Sequence, residues 1–301
     1  MRIAVLGAGL MGHGIALTMA RAGHDVAVAD PVPDAMAALP ARVRESLSLM
    51  GVADPDPVLA RILAADLPEA VRDADAVFEA APEKLPVKQA LFAEVERHAP
   101  ADCLLASNTS VIRITEIMGG LARRDRAMGT HWWNPPHMIP LVEVVRTEWT
   151  SDAALDAMTA LLTDAGKTPV RVERDVPGFI GNRLQHALWR EALNLVERGI
   201  CDADAVDTVV KSSFGRRLAV LGPLENLELI GLDLTLDILD QVLFDLDARP
   251  EAPPMLRDMV AAGTTGMTAG QGFRRWTPEQ AAAVRARLAT HLRRLDDILP
   301  A

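Results

Sequence analysis

Ile3-Ala4-Val5-Leu6-Gly7-Ala8-Gly9-Leu10-Met11-Gly12 decides the fold. A short apolar run meets a Gly-x-Gly-x-x-Gly spacing, and an apolar helical pattern through Ile15, Leu17 and Met19 follows at once. In such a unit Gly7 allows the tight turn, Gly9 lets backbone approach a pyrophosphate, and Gly12 lets helix and strand pack closely. The amides that open the helix, around Leu10 and Met11, face the phosphates with the positive end of the helix dipole behind them. A second apolar run ends at Asp30, about 20 residues beyond the glycines, where a carboxylate accepts a ribose 2′-hydroxyl and repels a 2′-phosphate. The next cation in the sequence is Arg42, so NAD is expected in preference to NADP. The bland alternative is a glycine-rich turn with Asp30 as a helix cap.

Outward from this unit, short apolar runs alternate with helical patterns as far as residue 172. Strands are predicted at residues 2–6, 26–30, 76–79, 103–106, 126–130, 141–145 and 168–172, with helices such as 87–97 and 152–164 between them. That alternation predicts an α/β, Rossmann-type doubly wound and mostly parallel sheet. Beyond Asp175 no strand pattern remains, and helices are predicted at 182–198, 202–212, 225–244, 254–262 and 278–299. Pro177 and Gly178 mark the boundary. The expected organisation is a dinucleotide-binding domain over residues 1–175 and an all-α substrate and dimerisation domain over 176–301.

Composition limits the partners. Half of the 301 residues are apolar, and the net charge is −10. A general nucleic-acid or anionic-membrane binder needs a clustered basic face, which this balance argues against. No apolar run reaches the roughly 18 residues of a membrane span. Gly7, Gly9, Gly12 and Gly14 break any signal-peptide pattern at the N-terminus. Cys103 and Cys201 lie far apart and read as free thiols, which with the rest gives a cytoplasmic expectation.

The second informative stretch runs from Gly129-Thr-His131-Trp-Trp-Asn134 through a proline-rich loop to Leu141-Val-Glu143-Val-Val. Glu143 interrupts a run that otherwise reads as a buried strand, and a carboxylate there is costly unless a donor meets it. His131, at the end of the preceding strand, is the natural partner. A carboxylate that fixes one imidazole nitrogen leaves the other free as a general base. The competing reading of His131 is an ordinary satisfied core histidine.

With these residues in place, the chain resembles the L-3-hydroxyacyl-CoA dehydrogenase family from Arg2 to about Ile238. Matching stretches are Gly7 to Gly14, Phe78-Glu-Ala-Ala-Pro-Glu83-Lys-Leu-Pro-Val-Lys88, Ala106-Ser-Asn108-Thr-Ser110, His131 to Glu143, and Asp175-Val-Pro-Gly-Phe-Ile-Gly-Asn182-Arg. Gly222-Pro223 and Gly231-Leu-Asp233 match the family's helical domain. The resemblance implies that His131 takes the proton of a secondary alcohol while hydride leaves for the nicotinamide. It implies that Glu143 orients this histidine, Ser110 hydrogen-bonds the reacting oxygen and Asn182 helps hold the substrate. Glu83, Lys88 and Asn108 correspond to residues on the cofactor side. Taken singly, Ser110 and Asn182 also read as helix caps and Lys88 as a solvated helix charge. The family further implies a homodimer formed through the helical domain.

Three departures bear on the substrate. Residues 47–67, where acyl-CoA enzymes of the family often carry lysines suited to CoA phosphates, hold one cation, Arg61. The common Phe-Phe after the histidine is Trp132-Trp133. The usual Gly-x-Pro-Met-Gly-Pro-Phe is Gly215-Arg-Arg-Leu-Ala-Val-Leu-Gly-Pro-Leu. The run from Asn134 resembles relatives acting on small free hydroxy acids or hydroxymethyl aromatics, in the gulonate dehydrogenase/λ-crystallin and pyridine-degradation branches. Two enzyme readings therefore stand: oxidation of a 3-hydroxyacyl-CoA, or of a small carboxylated alcohol held by Asn134 and by Arg216 or Arg217 as carboxylate clamps. Solvated surface charge is the plain alternative for both arginines. A third reading, a non-catalytic NAD-binding crystallin-like protein, would not need Ser110, His131, Glu143 and Asn182 together.

Overall fold

A computed structural model describes residues 1–298. Eight strands, β1 (Arg2–Leu6), β2 (Asp25–Ala29), β3 (Ile62–Ala64), β4 (Ala76–Glu79), β5 (Leu104–Ser107), β6 (Ala127–Trp132), β7 (Leu141–Val145) and β8 (Thr168–Val172), form one sheet in the order β3-β2-β1-β4-β5-β6-β7-β8. All neighbours are parallel except β6 and β7, which pair antiparallel. Helices α1 (Gly12–Arg21), α2 (Pro33–Leu49), α3 (Asp56–Leu59), α4 (Leu67–Arg72), α5 (Leu85–His98), α6 (Ile114–Met118) and α7 (Asp152–Asp164) connect the strands. Strand side chains alternate between two cores, as a sheet covered on both faces requires. Ile3 and Val5 enter the core with Ile15, Leu17 and Phe78, whereas Ala4 and Leu6 enter the other with Phe92 and Leu105.

The predicted strands are all present, some displaced by a residue or two. Strand β3 has no counterpart among them. It is three residues long and lies at the sheet edge with Leu63 exposed, and the apolar run Ile62-Leu63-Ala64 is too short to show a strand's alternation. Helix α7 has the predicted bounds because Ser151 caps it by accepting from the Ala154 amide, and Gly166 lies just beyond in the left-handed region.

The chain divides into two compact units, residues 1–183 with the end of the last helix from residue 292, and residues 184–291. Helix α8 (Gly181–Glu197) is followed by α9 (Ala203–Ser212), α10 (Pro223–Ile230), α11 (Leu232–Val242), α12 (Pro254–Ala261) and α13 (Pro278–Ile298). The helix expected over 225–244 is two helices. Gly231, at φ +103°, turns the chain between α10 and α11, where an L side chain would be strained. Within residues 184–291 a carboxylate–guanidinium group of Glu197, Asp247 and Arg249 ties the loop before α12 to α8. Both buried apolar clusters lie in the first unit. Both cysteines are free, and burial pushes the Cys103 thiol up to about 12. No described helix is long and apolar enough to cross a membrane.

Candidate active site

Strand order reverses at β1, which lies between β2 and β4, and an open α/β sheet binds ligands outside the carboxyl ends of its strands at such a point. A cleft of about 990 Å³ opens there, lined by Gly7, Gly9, Leu10, Met11, Asp30 and Val32 among others. The glycines divide the work as their spacing predicts. A Cβ on Gly7 would meet the Ala80 carbonyl at 2.6 Å, and one on Gly12 would meet the Gly7 carbonyl at 1.8 Å. Gly9 faces open space, with nothing within 4 Å of that position. The amides of Gly9, Leu10 and Met11 have no acceptor among the described residues. This open glycine beside unpaired amides at a helix start fits the pyrophosphate of NAD.

Asp30 stands at the same cleft. Its two oxygens accept from the Ala8 and Val32 amides, each at 2.8 Å, and each keeps a lone pair for a ribose hydroxyl. Arg42, the next cation in sequence, donates to the Ala8 carbonyl at 2.8 Å.

The histidine and glutamate meet because of strand register. His131 of β6 lies directly opposite Glu143 of β7, so both side chains leave the same sheet face. His131 Nδ1 stands 2.7 Å from Glu143 Oε2, with both residues buried. The other oxygen, Oε1, accepts the Ile180 and Gly181 amides at 2.8 and 3.0 Å. Gly178 and Phe179 both take positive φ, +74° and +50°, which turns those two amides toward the carboxylate at the start of α8. A phenylalanine in that region is strained, and Phe179 is held there fully buried with its ring 5.6 Å from His131. Burial opposes the charge on Glu143, but the His131, Gly181 and Ile180 donors outweigh it and hold the carboxyl below its ordinary value. A carboxylate can only accept, so Nδ1 carries the proton and Nε2 presents its lone pair.

Ser110 and Asn182 join this group. Asn182 Nδ2 donates to the Ser110 carbonyl at 2.9 Å, which ties the turn after β5 to the start of α8. The Ser110 amide donates to Glu83 Oε1 at 3.1 Å, and the Thr109 hydroxyl donates to the same oxygen. Burial works against the charge of Glu83, yet Thr109, Lys88 and the Ser110 amide together hold its carboxyl low. Asn108 is buried and accepts the Trp132 amide on Oδ1 at 2.9 Å.

Lys88 is no solvated helix charge. Its ammonium is buried and has three acceptors: Glu79 Oε1 at 2.6 Å, Glu83 Oε2 at 3.3 Å and the Ala81 carbonyl at 3.3 Å. Three donors meet three acceptors, so this lysine acts through Glu83 unless one bond is exchanged. Glu79, also fully buried, accepts Ser107 Oγ at 2.5 Å and the Ala81 amide at 2.7 Å. Sequence reasoning singles out neither Glu79 nor Thr109. The sign is present for Glu79, a charge ending the apolar strand Ala-Val-Phe-Glu, as Glu143 interrupts its own.

The remaining predicted residues have other surroundings. Asn134 is exposed in the loop after β6, where its peptide bond to Pro135 is cis. Arg216 and Arg217 belong to the second unit at a short turn, exposed and without an ion pair among the described residues.

The chain matches the family model of the 3-hydroxyacyl-CoA dehydrogenase NAD binding domain over residues 2–176, and that of the 3-hydroxyacyl-CoA dehydrogenase C-terminal domain over residues 178–276. It is 36% identical over 298 residues to 5-formyl-3-hydroxy-2-methylpyridine 4-carboxylate 5-dehydrogenase of Mesorhizobium japonicum, covering 96% of this chain and 95% of that one. It is 38% identical over 272 residues to L-carnitine dehydrogenase of Streptomyces griseus, covering 87% and 81%. The crystal structure of a 5-formyl-3-hydroxy-2-methylpyridine 4-carboxylic acid 5-dehydrogenase, an NAD+-dependent dismutase, superposes with a TM-score of 0.93 at 35% identity, covering 99% of this chain and 98% of that one. The nucleotide cleft and the sheet-paired histidine and glutamate thus occur in a chain matched along nearly its whole length, and it belongs to the 3-hydroxyacyl-CoA dehydrogenase family.

Proposed function

We propose that this NAD-dependent dehydrogenase oxidises a hydroxyl on a small carboxylated substrate that carries no CoA. His131 Nε2 takes the hydroxyl proton. Glu143 holds the ring in the Nδ1–H tautomer and stabilises the imidazolium that forms. The Ser110 hydroxyl, which has no partner among the described residues, donates to the oxygen as alkoxide character develops. Asn182 fixes the Ser110 turn. Bound NAD supplies the hydride acceptor.

The observation that carries the substrate half is the state of Arg61. This one cation of residues 47–67 is already bound to the Gly23 carbonyl and to Asp25, each at 3.0 Å. Asp25 already offsets the charge of this one cation, which leaves a weak anchor for a CoA phosphate. The relatives matched along most of their length, named for a pyridine carboxylate and for carnitine, support the same reading. The family's name favours the second reading, a 3-hydroxyacyl-CoA substrate.

Initial rates decide between them. Carboxylated hydroxymethyl aromatics and small hydroxy acids should be oxidised with NAD, while acetoacetyl-CoA with NADH should give marginal turnover. Robust reduction of acetoacetyl-CoA would sink the CoA-free reading. Under either reading His131→Ala should abolish turnover and leave NADH binding nearly intact. We further propose that the second unit forms a homodimer.

A further inference from the structure

The glycine loop presents amides to the cleft, and its carbonyls point the other way, where two basic side chains meet them. Arg42, from α2, donates Nη1 to the Ala8 carbonyl at 2.8 Å. His13, at the second position of α1, places Nδ1 2.9 Å from the Gly9 carbonyl. A carbonyl can only accept, so Nδ1 carries the proton. His13 Nε2 lies 3.1 Å from Ser46 Oγ on α2, and in the neutral ring it accepts from that hydroxyl. The His137 ring, from the loop after β6, stands 5.9 Å from the His13 ring. Burial pushes His13 below its ordinary pKa against the pull of the Gly9 carbonyl, which favours this neutral, tautomer-fixed ring.

The peptide geometry gives these contacts their meaning. The Ala8 carbonyl shares its peptide plane with the Gly9 amide, and the Gly9 carbonyl shares its plane with the Leu10 amide. Both amides lack an acceptor among the described residues, and Gly9 and Leu10 line the nucleotide cleft. A donor at the carbonyl end polarises the whole peptide and strengthens its N–H as a donor. We propose that Arg42 and His13 are positioning residues that brace the glycine loop from behind, polarising the Gly9 and Leu10 peptides toward the cofactor's pyrophosphate. The Gly9 carbonyl sets the histidine tautomer that this requires, and the Ser46 hydroxyl satisfies the nitrogen left over. Arg42 also sets a full positive charge at the carbonyl side of the loop, which would favour a bound pyrophosphate through the loop.

Binding by calorimetry tests this on the full chain, with NADH, ADP-ribose and adenosine as probes. Arg42→Met should weaken NADH and ADP-ribose by about tenfold, the scale of a charge-assisted hydrogen bond, and His13→Ala by several-fold. Adenosine lacks the pyrophosphate and should bind each variant as it binds the wild type. Arg42→Gln and His13→Gln keep a neutral donor and should fall between wild type and the ablated variants. They also carry the test if the larger changes prevent folding. Equal weakening of adenosine would show a merely loosened cleft and overturn the proposal. So would unchanged ADP-ribose affinity, or Gln variants no better than the ablated ones.

Discussion

Replacing Glu143 by Gln keeps the shape of the side chain and removes what its charge does. The carboxylate accepts on both oxygens, from His131 on one side and from the Ile180 and Gly181 amides on the other. An amide has one accepting end. Oriented to satisfy the two backbone donors, the substituted side chain would turn its NH₂ toward His131 and demand the opposite imidazole tautomer, with the proton on Nε2. Glu143→Gln should therefore lower kcat by about 10²- to 10⁴-fold, the usual range for a positioned general base, with a smaller change in NADH affinity. A kcat within a fewfold of wild type would refute the assigned role. The same substitution reports on stability. Because the folded carboxyl lies below its ordinary value of 4.5, its contribution is fully present above that pH and is lost as pH falls through the folded value. Thermal melting between pH 7 and pH 3 should show wild type losing part of its advantage over Glu143→Gln below about pH 4.5. Parallel curves across that range would count against the coupling.

At the scale of elements, β4, β5 and α5 are joined by a charge network in which Glu79 and Lys88 are both buried. Removing one partner of such a pair leaves an uncompensated charge and costs about 3–5 kcal/mol, whereas removing both costs much less. Lys88→Met should lower the melting temperature strongly, and Glu79→Gln in the same chain should restore part of the loss. A double variant as unstable as the sum of the two single ones would show that the pair does not interact. This network also marks the limit of what the sequence discloses. Gly7, Gly9, Gly12 and Asp30 are legible because spacing alone fixes their backbone geometry. His131 and Glu143 are legible because a charge inside an apolar strand demands a partner. Lys88 sits near the start of a helix, between Val87 and Gln89, and its burial depends on where α5 packs. No periodicity encodes that. Phe179 is invisible as a positive-φ residue for the same reason, since the strain is imposed by the carboxylate its neighbours must reach. Arg42 enters the sequence reading only as a distant cation, and the fold brings it to the back of the glycine loop.

At the scale of the whole molecule, apolar side chains are distributed very differently in the two units. The first unit buries two apolar clusters against its sheet. In residues 184–291 the helices α9, α10 and α12 bury no residue, and α11 buries only Thr235. Leu224 and Leu229 are each 73% exposed and Phe244 is 85% exposed, while Leu232, Leu234 and Leu236 are also open. Covering a leucine or phenylalanine is worth roughly 1.5–3 kcal/mol, so these six residues represent on the order of ten kcal/mol of unused burial. Large apolar side chains exposed in such number point to an interaction surface. A second copy of the chain is the occupant that the proposed homodimer supplies, and a two-fold interface built on one patch would let α10 and α11 meet their own counterparts. The expected result is a dimer in sedimentation at micromolar concentration. Leu234→Asp with Leu236→Asp should shift it toward monomer and lower the melting temperature, while Arg216→Ala at the exposed turn before α10 should leave the dimer intact. A wild-type monomer at that concentration would refute the assembly, and a dimer indifferent to the paired aspartates would move it to another face.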